Sequence, residues 1–381
     1  MKDILILAPY YLPGFKGGGP IRSISNLVHT LGNELNFKII TSDRDLGDSI
    51  AYEKVQNEVW TKVGSAEVYY VTPEKFNFRY LRKIIKRTHY DFIYLNSFFN
   101  KNFSVIPIVL RIMGRIPYKP IIVAPRGEFS PGALKIKKFK KELFIESTKL
   151  VGLHNKVIWH ATSEEEKTDI NQIYGGDISV HVAPNLPNTF ENKKQQKKDK
   201  KSGELKLIFI SRITKKKNLK GALTFLKGVN GNITFDIYGP IEDQDYWKEC
   251  RDVIESLPNN VQVNYMGQIN NNKVHVLFTS YDAFLFPTFG ENYGHVIVES
   301  LLAGCPVIIS DQTPWRNLEN EGAGWTIPLE KEETFIAALN DLVHMDSEEL
   351  QQLSRSASEY AVKMFFCEEI VQQNRDLFSI N

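Results

Sequence analysis

The sequence predicts an α/β protein made of two doubly wound parallel-sheet domains, and three observations carry that reading. Short apolar runs alternate with amphipathic stretches through the first half, a lysine-rich segment without aliphatic residues interrupts them, and the same alternation then restarts. Strand–helix alternation of this kind argues for parallel sheets covered by helices. The 381 residues also exceed a usual single core, which makes two domains the expectation.

In the first half the strand candidates are residues 4–8, 37–41, 68–71, 92–95, 121–124, 157–161 and 179–182, with amphipathic runs at 79–87, 105–113 and 136–150. Residues 189–203 hold a single aromatic, no aliphatic and no periodicity, and read as a solvated linker or loop. Strand candidates then return at 205–211, 233–238, 261–265, 283–286 and 307–309. The domains are accordingly expected over 1–188 and 204–356.

Composition narrows the function classes. A hydrophobic content of 42% and a charged content of 24% are ordinary for a globular protein. A net charge of +2 gives no general reason to expect nucleic acid as a partner. Cys250, Cys305 and Cys367 are widely spaced and odd in number, which suits a reducing compartment and offers neither a zinc site nor a disulfide framework. No apolar run approaches the ~20 residues of a membrane span, and Ile4–Ala8 is too short for a signal-peptide core. A cytoplasmic protein is expected.

The most informative stretch is Phe286 to Glu299. An apolar run, Tyr281–Phe286, leads into a glycine-bearing loop and then a helical stretch that stops at Gly304-Cys305-Pro306. The helix start near Gly294 offers backbone N–H groups and a dipole that favour an anion such as phosphate. Glu291 lies in the loop, and Glu299 lies about 7.5 Å further along the helix. A second constellation, Ser211 to Leu219, directly follows the first strand of the second half and contains Arg212, Lys215, Lys216 and Lys217. Ligands of open α/β sheets bind at the carboxyl ends of strands. Arg212 can fork to two phosphate oxygens and a lysine can act as a point charge, so the loop suits charge growing on a departing phosphate.

Together these motifs resemble the E-x7-E signature and the Arg…Lys pair of retaining glycosyltransferases of family 4, the glycosyl transferases group 1, which have the GT-B fold. The resemblance covers both halves, with the more specific motifs in the second. It implies two Rossmann-like domains facing a cleft, with the helix from about residue 357 to 381 crossing back onto the first. It implies transfer of a hexosyl group from a nucleotide diphosphate sugar to a hydroxyl of a glycan or lipid-linked glycan, in bacterial surface polysaccharide synthesis. Glu291, Arg212 and Lys217 would then be catalytic, Glu291 on the transferred sugar and the two cations on the diphosphate. Glu299 would take the ribose hydroxyls, for which a two-oxygen carboxylate is well shaped. The backbone of Tyr293, Gly294 and His295 would hold the phosphates, and Ile269 would lie near the base.

On the amino-terminal side, Gly17-Gly18-Gly19 follows the first strand and precedes a helix. Glycines there permit close backbone approach to a phosphate or sugar, and the resemblance puts Gly18 and Gly19 near the donor. Many relatives carry a histidine near the position of Arg126. This chain has Arg126 and Glu128 instead, which puts a histidine role in doubt and makes those two the acceptor-side candidates. His160 reads as a packed strand-end residue, and Ser163 with Glu166 as a capping box. Front-face retention needs no protein base, since the leaving phosphate accepts the proton. Two D-x-D strings, Asp43-Arg44-Asp45 and Asp243-Gln244-Asp245, read as a polar loop and a helix start. With Arg212, Lys217 and a helix N-terminus supplying positive charge, neither a metal nor a cofactor is expected.

Lys135 to Lys141 packs five lysines among apolar residues, with Ile136, Phe139 and Leu143 on one helical face. That is either a basic amphipathic helix resting on an anionic membrane, at the inner face of the cell membrane, or an ordinary helix with solvated lysines. Two other functions suit the motifs: a GT-B-fold sugar-nucleotide 2-epimerase, which releases nucleotide without an acceptor, and a non-catalytic sugar-nucleotide sensor. The loop Gln312 to Arg316 has no readable role, and donor base, sugar, acceptor and linkage are not legible.

Overall fold

The computed structural model describes residues 1–135, 138–187 and 200–380. The chain forms two compact units, Met1–Thr189 with Glu368–Asn381, and Phe190–Cys367. The first unit runs β1 (Lys2–Leu7), α1 (Gly19–Leu31), β2 (Leu35–Ser42), β3 (Thr61–Val63), β4 (Ala66–Val71), α2 (Phe78–Arg87), β5 (Phe92–Leu95), α3 (Ile106–Ile112), β6 (Ile121–Val123), α4 (Pro131–Lys135), α5 (Lys138–Leu150), β7 (Ile158–Ala161), α6 (Glu164–Tyr174) and β8 (Val180–Val182). Among the described residues its sheet has the order β3-β4-β2-β1-β5-β6-β7-β8. Among the described residues only β3 pairs antiparallel. Central strands such as β5 are buried along their whole length, as expected of a parallel sheet covered on both faces.

The second unit runs β9 (Glu204–Ile210), α7 (Leu219–Phe225), β10 (Asn232–Tyr238), α8 (Gln244–Glu255), β11 (Val261–Gly267), α9 (Asn271–Phe278), β12 (Ala283–Phe286), α10 (His295–Leu302), β13 (Val307–Ser310), β14 (Gly324–Ile327), α11 (Glu332–His344) and α12 (Ser347–Phe365). Its sheet has the order β11-β10-β9-β12-β13-β14, with every pairing parallel among the described residues. Each unit closes around its own apolar core.

From residue 357 onward the chain divides. Leu350, Ala357, Ala361 and Phe365 bury α12 in the second unit. The last helix, α13 (Glu368–Asp376), belongs to the first. There the Asn374 amide donates to the Pro184 carbonyl at 2.9 Å, Arg375 pairs with Glu34 at 2.7 Å, and Phe378 meets Phe37 and Phe92 edge-on.

Three local differences from the sequence reading have plain causes. β3 and β14 were not expected, because edge strands of three and four residues bury too little to leave an apolar run. Most of the lysine-rich segment lies outside the described residues, but Lys200 does not. It is buried, and its ammonium donates to the carbonyls of Val343 and Met345 at the end of α11, where a cation satisfies orphan acceptors. The expected helix over 136–150 is α4 followed by α5, with Ile136 and Lys137 outside the described residues.

Candidate functional site

In the second unit the strand order reverses at β9, which lies between β10 and β12. The loops leaving β9 and β12 therefore frame the switch point where an open parallel sheet binds ligands. Arg212 and Lys217 stand on the first loop, Glu291 to Gly294 on the second. Arg212 is exposed, with its Nη1 3.2 Å from Glu242. The loop behind it is pinned to the loop after β10 by Ile213 N–H donating to Pro240 O at 2.9 Å. Gly239 makes this close approach possible: a Cβ there would sit 1.8 Å from the Ser211 carbonyl oxygen.

Lys217 ends a 3-10 turn, Lys215–Lys217, and is buried at 8% exposure. Its ammonium is ion-paired with Glu291 and lies 5.6 Å from the Phe286 ring centroid. Asn218 fixes the geometry. It adopts a left-handed backbone, caps α7 by accepting from Gly221 N–H, and donates its amide to Pro287 O at 2.8 Å. The lysine turn is stitched to the glutamate loop again by Phe289 N–H donating to Lys216 O at 2.8 Å. The structure thus brings together two residues 74 apart in sequence.

The helix expected to open near Gly294 does so. Gly294 is the left-handed N-cap of α10 and supplies no side-chain cap, so the first turn relies on other acceptors for its N–H groups. A Cβ on Gly294 would lie 2.8 Å from Ile297 Cδ1 and 3.4 Å from Trp315 Nε1. Glu299 is half-buried on α10, as is His295 at its start. Tyr293 is buried, and burial raises its phenol pKa far above the ordinary value, so its ring is packing rather than acid–base equipment. Ile269, just after β11, is partly buried against the core.

Sequence reasoning left the loop 312–316 without a role, and the structure supplies one. Glu291 N–H donates to Gln312 O at 3.0 Å, and the buried Trp315 indole donates to Tyr293 O at 2.7 Å. Trp315 in turn packs on Phe365, ring centroids 5.2 Å apart. Glu242 and Trp315 carry no local signal that marks them. Asn218 does, as a capping residue directly before an apolar helix.

In the first unit the strand order reverses between β1 and β5, and the loops there carry the other candidates. Gly18, at φ +67°, is the N-cap of α1, and no atom lies within 4 Å of where its Cβ would be. Gly19 begins the helix. Arg126 and Glu128, after β6, face inward to polar partners. Arg126 donates to Asn96 Oδ1 at 2.7 Å, to Asn185 Oδ1 at 2.5 Å and to the Tyr94 hydroxyl at 2.6 Å. Glu128 accepts from the Ser97 hydroxyl and from the N–H groups of Phe98 and Phe99. Burial raises its pKa, opposed by those hydrogen bonds.

His160 belongs to the same network. Its Nε2 lies 2.8 Å from Ala183 O, which only accepts, so Nε2 carries the proton and Nδ1 accepts from Tyr94 Oη at 2.8 Å. That leaves the Tyr94 oxygen to accept from Arg126. Burial, reinforced by Arg126, pushes the imidazole pKa down to about 3. His160 is a neutral spacer. A depressed histidine pKa contributes stability in full above the unfolded value of about 6.5, and the contribution drains as pH falls toward the folded value.

At least one aspartate of each D-x-D string is engaged within its own unit. Asp243 caps α8 by accepting from Tyr246 N–H at 3.0 Å. Asp43 accepts from Arg44 Nε and from the Asn57 amide, both at 2.8 Å.

Comparison with known proteins agrees with this layout. Residues 190–363 match the family model described as Glycosyl transferases group 1, a stretch that contains Arg212, Lys217, Glu291 and Glu299. An uncharacterized 41.2 kDa protein in the cps region of Klebsiella pneumoniae is 22% identical over 304 residues, covering 77% of this chain and 78% of that protein. Among solved structures, HepE from Anabaena in complex with UDP-glucose is 17% identical, with the whole of both chains aligned and a TM-score of 0.68. Sucrose-phosphate synthase from Thermosynechococcus elongatus is 16% identical, covering 100% of this chain and 98% of that one at a TM-score of 0.75. The chain therefore has the GT-B fold of two Rossmann-like units, and its residues 190–363 carry the match to glycosyl transferases group 1.

Proposed function

We propose that this protein is a retaining, metal-independent glycosyltransferase of family 4. It moves a hexosyl group from a nucleotide diphosphate sugar to a hydroxyl of a glycan or lipid-linked glycan, in the synthesis of a bacterial surface polysaccharide. The observation that carries the reading is the Lys217–Glu291 pair at the switch point, with Arg212 on the same loop as Lys217 and Glu291 just before the start of α10. The relative from a cps region and the UDP-glucose held by HepE support it from outside the chain.

In this reading the bond between the anomeric carbon and the β-phosphate oxygen breaks, and the acceptor oxygen bonds to that carbon on the same face. The acceptor proton passes to the departing phosphate. Arg212 and Lys217 stabilise the charge that develops on that phosphate, with N–H groups of Tyr293, Gly294 and His295 as further donors. Glu291 orients hydroxyls of the sugar, Glu299 accepts from the ribose hydroxyls, and Ile269 lines the base. Gly18 and Gly19 contact a donor phosphate, while Arg126 acts with Glu128 through the acceptor-side loop. The carboxylates of Asp43, Asp45 and Asp243 are already engaged by the protein's own groups, which supports a donor held without a metal.

Thermal stabilisation by UDP-, GDP-, ADP- and dTDP-sugars, with and without EDTA, tests this. A ligand at 100 times its dissociation constant should add about 2.7 kcal/mol. A hit indifferent to EDTA supports the site. No hit sinks it, and nucleotide release with free sugar but no acceptor turns the reading to an epimerase. Glu299→Ala should weaken binding of the same nucleotide sugar about tenfold or more, the worth of charged hydrogen bonds. Unchanged affinity by calorimetry would remove the ribose role.

We also propose membrane contact through α5. Phe139, Leu143 and Leu150 are 77%, 64% and 89% exposed, and helical geometry puts them within about 40° of one another. Ile145 and Thr148, on the opposite side, are buried. Residues 135–151 hold six lysines against two glutamates, a local charge of +4 on a chain of +2. An apolar stripe flanked by cations suits an anionic interface. The protein should sediment with phosphatidylglycerol vesicles but not with phosphatidylcholine. Phe139→Asp with Leu143→Asp should abolish this, and retained sedimentation would sink the contact. Among the described residues no helix is long and apolar enough to cross a membrane.

A further inference from the structure

We propose that Asp45 is a positioning residue, the built-in anion around which the glycine-rich loop after β1 is formed. This rests on the proposed phosphate contact of Gly18 and Gly19, and adds the residue that sets their place. The Asp45 side chain reaches across from the loop after β2, and the residue is only 4% exposed. Its Oδ2 accepts from the N–H groups of Phe15 at 2.6 Å and Lys16 at 2.9 Å. Its Oδ1 accepts from Gly17 N–H at 3.3 Å and from Leu46 N–H at 2.8 Å.

Successive N–H groups converging on one point make an anion-binding concavity. In this loop the anion is a side chain of the same protein. Two glycines show how tightly the loop is packed, Gly14 against the loop after β2 and Gly17 against α1. A Cβ on Gly14 would sit 2.2 Å from the Tyr52 hydroxyl and 3.0 Å from Asp45 Cγ, and one on Gly17 would sit 3.0 Å from Ile21 Cδ1. Lys16 adds a second tie, its ammonium 2.5 Å from Asp48. The Asp43 carbonyl accepts from Tyr52 N–H at 2.8 Å and closes the bracing loop on itself.

Gly18 follows directly and is open on its Cβ side. The carboxylate therefore spends the N–H groups of residues 15–17 on shape, the Gly18 N–H turns back onto the Phe15 carbonyl at 3.0 Å, and the open Cβ side of Gly18 with the helix start at Gly19 is the face offered to a ligand. An Asp-x-Asp string, a pattern often read as a metal site, here braces two loops against each other. Remove the carboxylate, and three aligned N–H groups inside the protein lose their acceptor while the bend at Gly17–Gly18 loses its template.

The test is chemical rescue. Asp45→Ala leaves a space the size of a small carboxylate. Its melting midpoint should fall by about 5 °C or more, and its affinity for whichever nucleotide sugar best stabilises the wild type should fall at least tenfold. Formate should restore both, and chloride at equal ionic strength should restore neither. A wild-type midpoint in Asp45→Ala, or formate without effect, would overturn the proposal. Rescue of the midpoint by formate, with no nucleotide sugar bound even by the wild type, would keep the brace and sink the donor reading. If Asp45→Ala does not fold, Asp45→Asn decides. It keeps the shape but sets an N–H against N–H groups, so wild-type values in both measurements would overturn the assignment.

Discussion

Lys217→Ala should cut turnover by about two to three orders of magnitude, the loss seen when one preorganised group facing developing charge is removed. Two effects combine in that number. In the proposed mechanism the ammonium is lost from the phosphate, and in the protein itself Glu291 is left without its partner. Side-chain exposures of 11% for Lys217 and 16% for Glu291 leave the pair mostly dry, so stability should fall too. Breaking a fully buried pair costs about 3–5 kcal/mol, and the residual exposure places this one toward the lower end. A double-mutant cycle separates the effects. Glu291→Ala alone should also be damaging, but Lys217→Ala with Glu291→Ala should unfold no more easily than either single variant, because no charge is left stranded. Additive losses in the double variant would mean that the two residues do not act as a unit.

Trp315→Ala should be the most destabilising single change near the site, by about 3–5 kcal/mol, the usual cost of emptying a buried aromatic position. The indole is 7% exposed, and its ring lies 6.1 Å from that of Tyr293 and 5.2 Å from that of Phe365. Its N–H holds the carbonyl of the residue before the Gly294 cap, so nucleotide affinity should fall along with stability. Trp315→Phe keeps most of the packing and removes the hydrogen bond. It should cost about 1 kcal/mol from the bond itself and still weaken nucleotide binding. Native affinity in Trp315→Phe, measured by calorimetry, would show that the indole is packing alone.

Parts of this site were legible because its signals are local. Glu291, Gly294 and Glu299 sit within one strand–loop–helix unit, and the apolar run, the glycine and the helical stretch each announce their place. Arg212 and Lys217 were legible for the same reason, as cations directly after a strand. What could not be read are contacts made by loops distant in sequence. Asp45 looked like half of a polar string, because the N–H groups that donate to it lie about thirty residues earlier. Trp315 sat in a loop with no readable role, because its partner is a carbonyl, which every residue has. Arg126 shows the same limit from another direction: its left-handed backbone, φ +57°, and its three side-chain acceptors are properties of the folded unit alone. The two missed strands, β3 and β14, are short edges whose pairing depends on a neighbour rather than on their own pattern.

The two-sided apolar pattern of α5 has a consequence for the protein as a colloid. Phe139, Leu143 and Leu150 present a greasy strip on every free molecule, and the surrounding lysines are what keep two such strips apart. That guard is electrostatic, so its range is set by the buffer. At about 0.01 M salt the screening length is about 30 Å and the molecules repel before the strips touch, whereas at about 1 M it is about 3 Å and they do not. The usual remedy for a sticky basic protein, more salt, would therefore drive this one toward self-association.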